Sequence, residues 1–395
     1  MQAGVSAVRI AFYAPLKPLD HPVPSGDRLM ARLLVIALER AGYEVDVASK
    51  LRSRVGDGNA LRQARLAELG GKLARRLIRR YENGFLPRPD AWFTYHLYYK
   101  SPDWIGPLVA AELGIPYFIC EASHAPKRAH GPWAASHHAI ERAVKQADAI
   151  FCPNRADMAC LAPLARAGTV HFLPPFADIA TWVPPLNGPD ETAPLAPSKT
   201  DIVHLIAVAM MRPGDKWKSF AVLAAALAAL PSSLQGRWRL TLVGDGPVRG
   251  DVVALFARFA PDQICFAGQC DVSATRYYLA QADLCVWPAI SEAYGMALLE
   301  AQAAGVAVLA GDSGGVSGIV RHGTTGWLVP EGDVAAFSKA LALHLQNPAS
   351  LKNAGKAAAQ NAREHHDISS AARMLDYVMS PIITGRISAR DAEDA

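Results

Sequence analysis

The chain has 395 residues, of which 51% are hydrophobic, and a formal net charge of +4. That length exceeds one ordinary core and suits two α/β domains, while the apolar content excludes a disordered chain. The charge falls well short of the basic balance of a nucleic-acid binder, so no nucleic-acid partner is expected.

Short apolar runs alternate with longer helical patterns throughout, which predicts parallel sheets with crossover helices. In the first half, strands are predicted at residues 8–14, 45–48, 91–95, 116–120, 149–152 and 170–173. Residues 28–41 carry apolar side chains at helical spacing and stop at Gly42. Just before them, Ser25-Gly26 sits in a loop where a glycine can bring backbone N–H groups towards a phosphate, making Gly26 a candidate contact. Residues 61–81 read as a helix with apolar positions at 66, 69, 73 and 77, interrupted at Gly70-Gly71. The remaining surface carries Arg62, Arg65, Lys72, Arg75, Arg76, Arg79 and Arg80. Docking of the apolar face on the sheet is the favoured use, with contact to anionic lipid as the alternative. His124 follows the strand at 116–120 and is a candidate for the reaction centre. A merely structural imidazole is the competing reading, because His130, His137 and His138 lie close by.

Pro184, Pro185, Pro189, Pro194 and Pro197 block regular structure and predict a linker over 184–200. It separates a first domain, 1–183, from a second, 201–380, with 381–395 expected as a flexible tail. Strands in the second domain are predicted at 201–209, 239–243, 264–267, 284–288, 306–310 and 327–329. The expected architecture is two doubly wound, Rossmann-like α/β domains facing each other across a cleft, with ligands outside the carboxyl ends of the strands. The first residues lack the pattern of a signal peptide, and no apolar run reaches about 18 residues. A cytoplasmic protein is expected, with peripheral attachment at the inner membrane face left open. Cys120, Cys152, Cys160, Cys265, Cys270 and Cys285 form no C-x-x-C pair and read as buried thiols in a reducing compartment.

The most informative segment runs from Ser291 to Ala301, after the strand at 284–288. Gly295 lets a ligand approach the backbone, and the first N–H groups of the helix that follows can hold a phosphate. Glu292 and Glu300 are eight residues apart, about 12 Å along a helix. Paired hydrolase carboxylates stand about 5–9.5 Å apart, so this spacing suits the two ends of an extended ligand instead. A second cluster, Arg212 to Lys218, follows the strand at 201–209; arginine and lysine there can stabilise a departing diphosphate without a metal. Gly244-Asp245-Gly246 is no dinucleotide fingerprint, because Arg249 stands where the third glycine is required. Gly244 lines the site or simply makes a tight turn.

The segment Glu292 to Glu300 resembles the E-x7-E motif of the retaining glycosyltransferases of family 4, which have the GT-B fold. Gly314-Gly315-Val316, the run Gly323 to Asp333, and Val243 to Pro247 are similar to further landmarks of that family. The resemblance implies that Glu292 contacts the donor sugar, Glu300 the ribose, and Tyr294, Gly295, Met296 and Ala297 the sugar and diphosphate. It also places His124 near the reaction centre. The family has a Gly-Gly pair where this chain has Ser25-Gly26, which favours carry-over to Gly26. The family's lysine stands five residues beyond its arginine, whereas Lys216 is four and Lys218 six beyond Arg212, so both lysines remain candidates beside Arg212. The implied activity is transfer of a sugar from a nucleoside-diphosphate sugar to a hydroxyl of a saccharide or lipid-linked acceptor, with retention, in polysaccharide, glycolipid or related glycoconjugate synthesis. No D-x-D motif accompanies the phosphate cluster, so neither metal nor cofactor is expected. A nucleotide-sugar epimerase or hydrolase on the same fold, or a non-catalytic sugar-binding scaffold, are the alternatives.

Overall fold

The structure is a computed structural model that describes residues 7–23, 25–183 and 202–393. The predicted linker, 184–200, lies outside the described residues. Two compact units are built: the first ends at Pro174 and is completed by the chain from Ile368 onward, and the second is Pro175–Asp367.

The first unit alternates β1 (Arg9–Tyr13), α1 (Gly26–Arg40), β2 (Glu44–Ser49), α2 (Ala60–Glu82), β3 (Ala91–Leu97), α3 (Gly106–Leu113), β4 (Tyr117–Ala122), α4 (Ala134–Gln146), β5 (Ala149–Cys152), α5 (Arg155–Leu161) and β6 (Val170–Phe172). The second contains α6 (Ile179–Trp182), β7 (Val203–Val208), α7 (Asp215–Ala228), β8 (Trp238–Val243), α8 (Arg249–Phe256), β9 (Ile264–Gly268), α9 (Val272–Ala280), β10 (Leu284–Trp287), α10 (Met296–Ala303), β11 (Ala307–Asp312), β12 (Gly326–Pro330), α11 (Val334–Gln346) and α12 (Ala349–His365). The last helix, α13 (Ile368–Glu393), belongs to the first unit.

Each of the predicted strands has its counterpart. The first sheet is ordered β2-β1-β3-β4-β5-β6 and the second β12-β11-β10-β7-β8-β9, and every strand pair in both is parallel. Strands buried on both faces need nearly continuous apolar sequence, which is why β5 and β10 read as unbroken runs and β4 is broken only by Glu121 near its end. The winding reverses between β1 and β3 in the first sheet and between β7 and β10 in the second. Loops leaving such strands diverge to opposite faces and open a crevice.

Three expectations are corrected. The first concerns the predicted tail, 381–395: over its described residues, 381–393, it is helical, because α13 continues through Pro381 to Glu393. Proline removes one backbone hydrogen bond, yet Leu375, Met379 and Ile383 keep a buried face at helical spacing across it. That face returns the chain to the first unit, where Asp376 Oδ1 accepts from the Tyr43 hydroxyl at 2.8 Å and Ser369 Oγ accepts from Arg40 at 2.9 Å. The second concerns the boundaries, which fall at 174 and 367 and not at 183 and 380: α6 packs on α10, and His366 Nδ1 lies 2.7 Å from the Pro175 carbonyl. The third concerns Gly70-Gly71, which does not interrupt α2. Gly70 is buried where a Cβ would lie 2.3 Å from Trp104 Cβ, so the glycine permits close packing. The buried face of α2 is accordingly Gln63, Gly70, Ala74 and Tyr81, while Leu69 is exposed.

No helix among the described residues is long and apolar enough to cross a membrane. All six cysteines are free; Cys120, Cys152 and Cys285 are buried, but Cys160 and Cys265 are exposed, contrary to the expectation of uniformly buried thiols.

The docking of α13 predicts that Leu375→Ala or Met379→Ala lowers the unfolding free energy of the first unit by about 2–5 kcal/mol. Urea unfolding of the full chain checks this, and a curve unchanged from the parent would show that α13 is not a structural member of that unit.

Candidate active site

In the second unit the loops after β7 and β10 meet at the reversal of winding. Gly214, with φ of 86°, turns the first loop into α7. Lys216 then extends from the first turn of α7 to form an ion pair with Glu292 Oε2, and its ammonium lies 5.3 Å from the Trp287 ring centre. The same Oε2 accepts from the indole N–H of Trp287 at 3.1 Å. Lys218 behaves differently: it is exposed and pairs with Asp215 on its own helix at 2.9 Å. The structure therefore brings Lys216, and not Lys218, to the β10 loop. Arg212 is exposed, and no hydrogen bond or ion pair engages its guanidinium among the described residues.

The backbone carrying these groups is held by close approaches that only glycine allows. A Cβ on Gly244 would lie 1.9 Å from the Ala209 carbonyl oxygen, and one on Gly246 would lie 2.3 Å from that of Met211. With Met211 N–H donating to the Asp245 carbonyl at 2.9 Å, the β8 turn is pressed against the loop that presents Arg212. This accounts for Gly244 as a tight turn beside the site. After β11, a Cβ on Gly311, Gly314 or Gly315 would lie 2.0, 2.0 or 2.4 Å from the carbonyl oxygens of Pro288, Glu292 and Ala293. Ser313 Oγ accepts from the Glu292 N–H at 3.3 Å, and Glu331 Oε1 accepts from the Ser291 N–H at 2.8 Å. The glycine landmarks of the sequence are thus the buttress of the Glu292 loop. Within that loop Ala289 and Ser291 take φ of 56° and 49°, a left-handed conformation costly for residues with a Cβ.

Gly295, at φ of 74°, caps α10 without a side chain. The N–H groups of Met296 and Ala297 therefore have neither an intrahelical nor a side-chain acceptor, and the helix dipole adds partial positive charge there. Tyr294 is half-buried next to them. Glu300, further along α10, is half-buried, and burial pushes its carboxyl up to about 8. No hydrogen bond or ion pair engages its carboxyl among the described residues. Arg212, Lys216, Glu292, Gly295 and Glu300 all belong to this one unit.

Gly26 and His124 lie in the first unit. Ser25 Oγ caps α1 by accepting from the Arg28 N–H at 3.2 Å, which leaves Gly26 exposed as the first helical residue, with open space around it. His124 Nε2 lies 3.3 Å from Glu141 Oε1. A cluster the sequence reading passed over sits at the reversal between β1 and β3. His96, at the end of β3, places Nδ1 3.3 Å from Asp27 Oδ1 and 3.4 Å from Glu121 Oε2. His96 and Glu121 have φ of 63° and 61°. Burial lowers the His96 imidazole, but Glu121 and Asp27 outweigh it and the net direction is upward. Their strand-end positions were the available signal; the strain was not legible.

Together these features define the class: two Rossmann-like units of the GT-B fold. The solved structures agree, with sucrose-phosphate synthase from Thermosynechococcus elongatus superposing at a TM-score of 0.68, 19% identical, over 96% of this chain and 100% of that one. HepE of Anabaena, in complex with UDP, gives 0.68 at 14% identity over 95% and 100%. Residues 206–362 match the family model of glycosyl transferases group 1. D-inositol 3-phosphate glycosyltransferase of Jonesia denitrificans is 31% identical over 174 residues, 41% of this chain and 40% of that protein. The chain spans less than half the length of the curated relatives it matches.

The His96 cluster carries a pH signature. A raised imidazole stabilises the fold in full below its unfolded value of 6.5, and that stability is lost as pH rises through the folded value. Asp27 is held down despite burial, by His96, so its contribution is present above 3.8 and lost as pH falls through its depressed value. The stability difference between the parent and His96→Gln, followed by urea unfolding, should be largest at about pH 4–6.5 and shrink above it. A difference independent of pH would rule out the ionic pairing.

Proposed function

We propose that this chain transfers a glycosyl group from a nucleoside-diphosphate sugar to an acceptor hydroxyl with retention of configuration. The observation carrying this reading is the ion pair of Lys216 and Glu292 at the reversal of the second sheet, with Arg212 on the loop before α7 and the uncapped N-terminus of α10 and Glu300 following Glu292 in the chain. A diphosphate takes charge-assisted hydrogen bonds from Arg212 and Lys216 and backbone ones from Met296 and Ala297, of which the Lys216 ammonium and the two N–H groups are positioned before the reaction begins. As the bond from the sugar to the diphosphate breaks, negative charge grows on the leaving oxygen, and these donors stabilise it in the role a divalent cation otherwise fills. Glu292, fixed by Lys216 and Trp287, accepts from donor-sugar hydroxyls. Glu300 accepts from the ribose diol. Lys218, engaged with Asp215, takes no part. Support for a nucleotide-sugar donor comes from HepE, whose structures contain UDP and UDP-glucose. Support for a hydroxyl-rich acceptor comes from the inositol phosphate glycosyltransferase relative.

Incubation with nucleotide sugars and candidate acceptors should give a glycoside whose anomeric configuration, read by NMR, equals that of the donor. Free sugar or an epimer formed without acceptor would replace this reading by hydrolysis or epimerisation. Lys216→Ala should lower turnover roughly 10²–10³-fold, whereas Lys218→Ala, which removes an exposed pair, should change it less than about threefold. Equal losses would overturn the assignment of the phosphate lysine.

Glu300 gives an independent test. Ribose hydroxyls donating to it favour its ionised form, so nucleotide binding below about pH 8 should release a proton from a group that burial had kept protonated. Calorimetric binding heats in buffers of different ionisation enthalpy measure the release, and Glu300→Gln should abolish it. Absence of release in the parent would remove Glu300 from the ribose site.

A further inference from the structure

The loop after β4 and the helix α4 bring together His124, His137 and Glu141, with one donor atom from each lying within 4.8 Å of the others. Glu141 Oε1 is 3.3 Å from His124 Nε2 and 3.8 Å from His137 Nδ1. His137 and Glu141 are one turn apart on the same face of α4, so the helix itself sets their spacing. His137 is 1% exposed, and neither of its ring nitrogens makes a hydrogen bond of good geometry, although the backbone of Ala125 lies close to the ring. An imidazole buried without a partner is costly and calls for an explanation such as an ion.

We infer that His124, His137 and Glu141 form a binding site for a divalent transition-metal ion, with Zn2+ the expected occupant. Zinc takes imidazole and carboxylate ligands at about 2.0–2.2 Å, which puts tetrahedral ligand atoms about 3.3 Å apart. The two separations to Glu141, 3.3 and 3.8 Å, are near that value, and all three ligand atoms lie within 4.8 Å of one another before any ion draws them in. Two nitrogens and one oxygen also match the donor set of zinc sites that keep a fourth position for water or a ligand oxygen. A plain hydrogen bond between His124 and Glu141 accounts for that pair but leaves His137 unexplained. The ion would tie the loop bearing His124 to α4 within the first unit. It is separate from the expectation of metal-free diphosphate stabilisation, which concerns Arg212 and Lys216 in the second unit, and no step of the proposed transfer uses it.

The test is calorimetric titration of Zn2+ into the chelator-stripped full chain, paired with visible spectroscopy of the Co2+ form. Expected are one ion per chain and the absorption of tetrahedral Co2+ without a thiolate charge-transfer band. Glu141→Gln and His137→Asn should each weaken binding at least about tenfold, while His138→Ala, an exposed neighbour, should leave it unchanged. Glu141 is part-exposed, so its variant decides the matter even where His137→Asn fails to fold. Binding below one equivalent, a thiolate band pointing to Cys160 or Cys265, or parental affinity in Glu141→Gln would each overturn the site.

Discussion

Lys216 and Glu292 lie 76 positions apart in sequence, on loops leaving two strands that are neighbours only because the second sheet reverses its winding between them. Their ion pair, with Trp287 donating to the same carboxylate oxygen, ties the two sides of that reversal together. The organisation of the second unit follows from this constraint. If the ammonium is to sit beside the carboxylate, the turn into α7 must be tight, which Gly214 provides, and the loop after β10 must be held forward, which the backbone after β11 does. Neither charge is deeply buried, with the two side chains 35% and 16% exposed, so the pair remains open to a ligand. A pair buried completely would be structural; one left wholly in water would contribute little.

The glycines show how much of this was legible beforehand. Gly244, Gly246, Gly314 and Gly315 stand out in the sequence, while Gly311 does not, and the sequence alone leaves open whether a ligand or the chain itself needs the missing side chain. The structure gives a direct cause: at each position a Cβ would enter a neighbouring carbonyl oxygen at 1.9–2.4 Å. These residues position the site through the backbone. Gly295 is of another kind, since its positive φ is needed to open α10 without a side-chain cap, leaving the N–H groups facing outward.

The twelve strands could be read because both sheets are parallel and buried, and that environment imposes unbroken apolar runs at regular intervals. The fold class follows from the alternation. What could not be read depends on contacts distant in sequence. The return of α13 to the first unit is decided by its packing on α1 and by the hydrogen bond of Asp376 with Tyr43, 333 positions away, against the local signal of Pro381. Gly70 looked like a break because glycine usually lowers helix stability, and only Trp104 explains why it is kept. Lys216 and Lys218 are two residues apart, about half a helical turn, and only the fold shows that Lys216 is the one that meets Glu292. His96 and Glu121 escaped notice because an imidazole and a carboxylate at strand ends are ordinary until their strained backbone and mutual approach are seen.

Diffraction from crystals soaked in a nucleoside diphosphate addresses the central claim most directly. The account places the diphosphate against the Arg212 guanidinium, the Lys216 ammonium and the N–H groups of Met296 and Ala297, with the ribose reaching Glu300. Electron density for the diphosphate anywhere else in the molecule, with the ion pair of Lys216 and Glu292 undisturbed and Arg212 still unengaged, would contradict it.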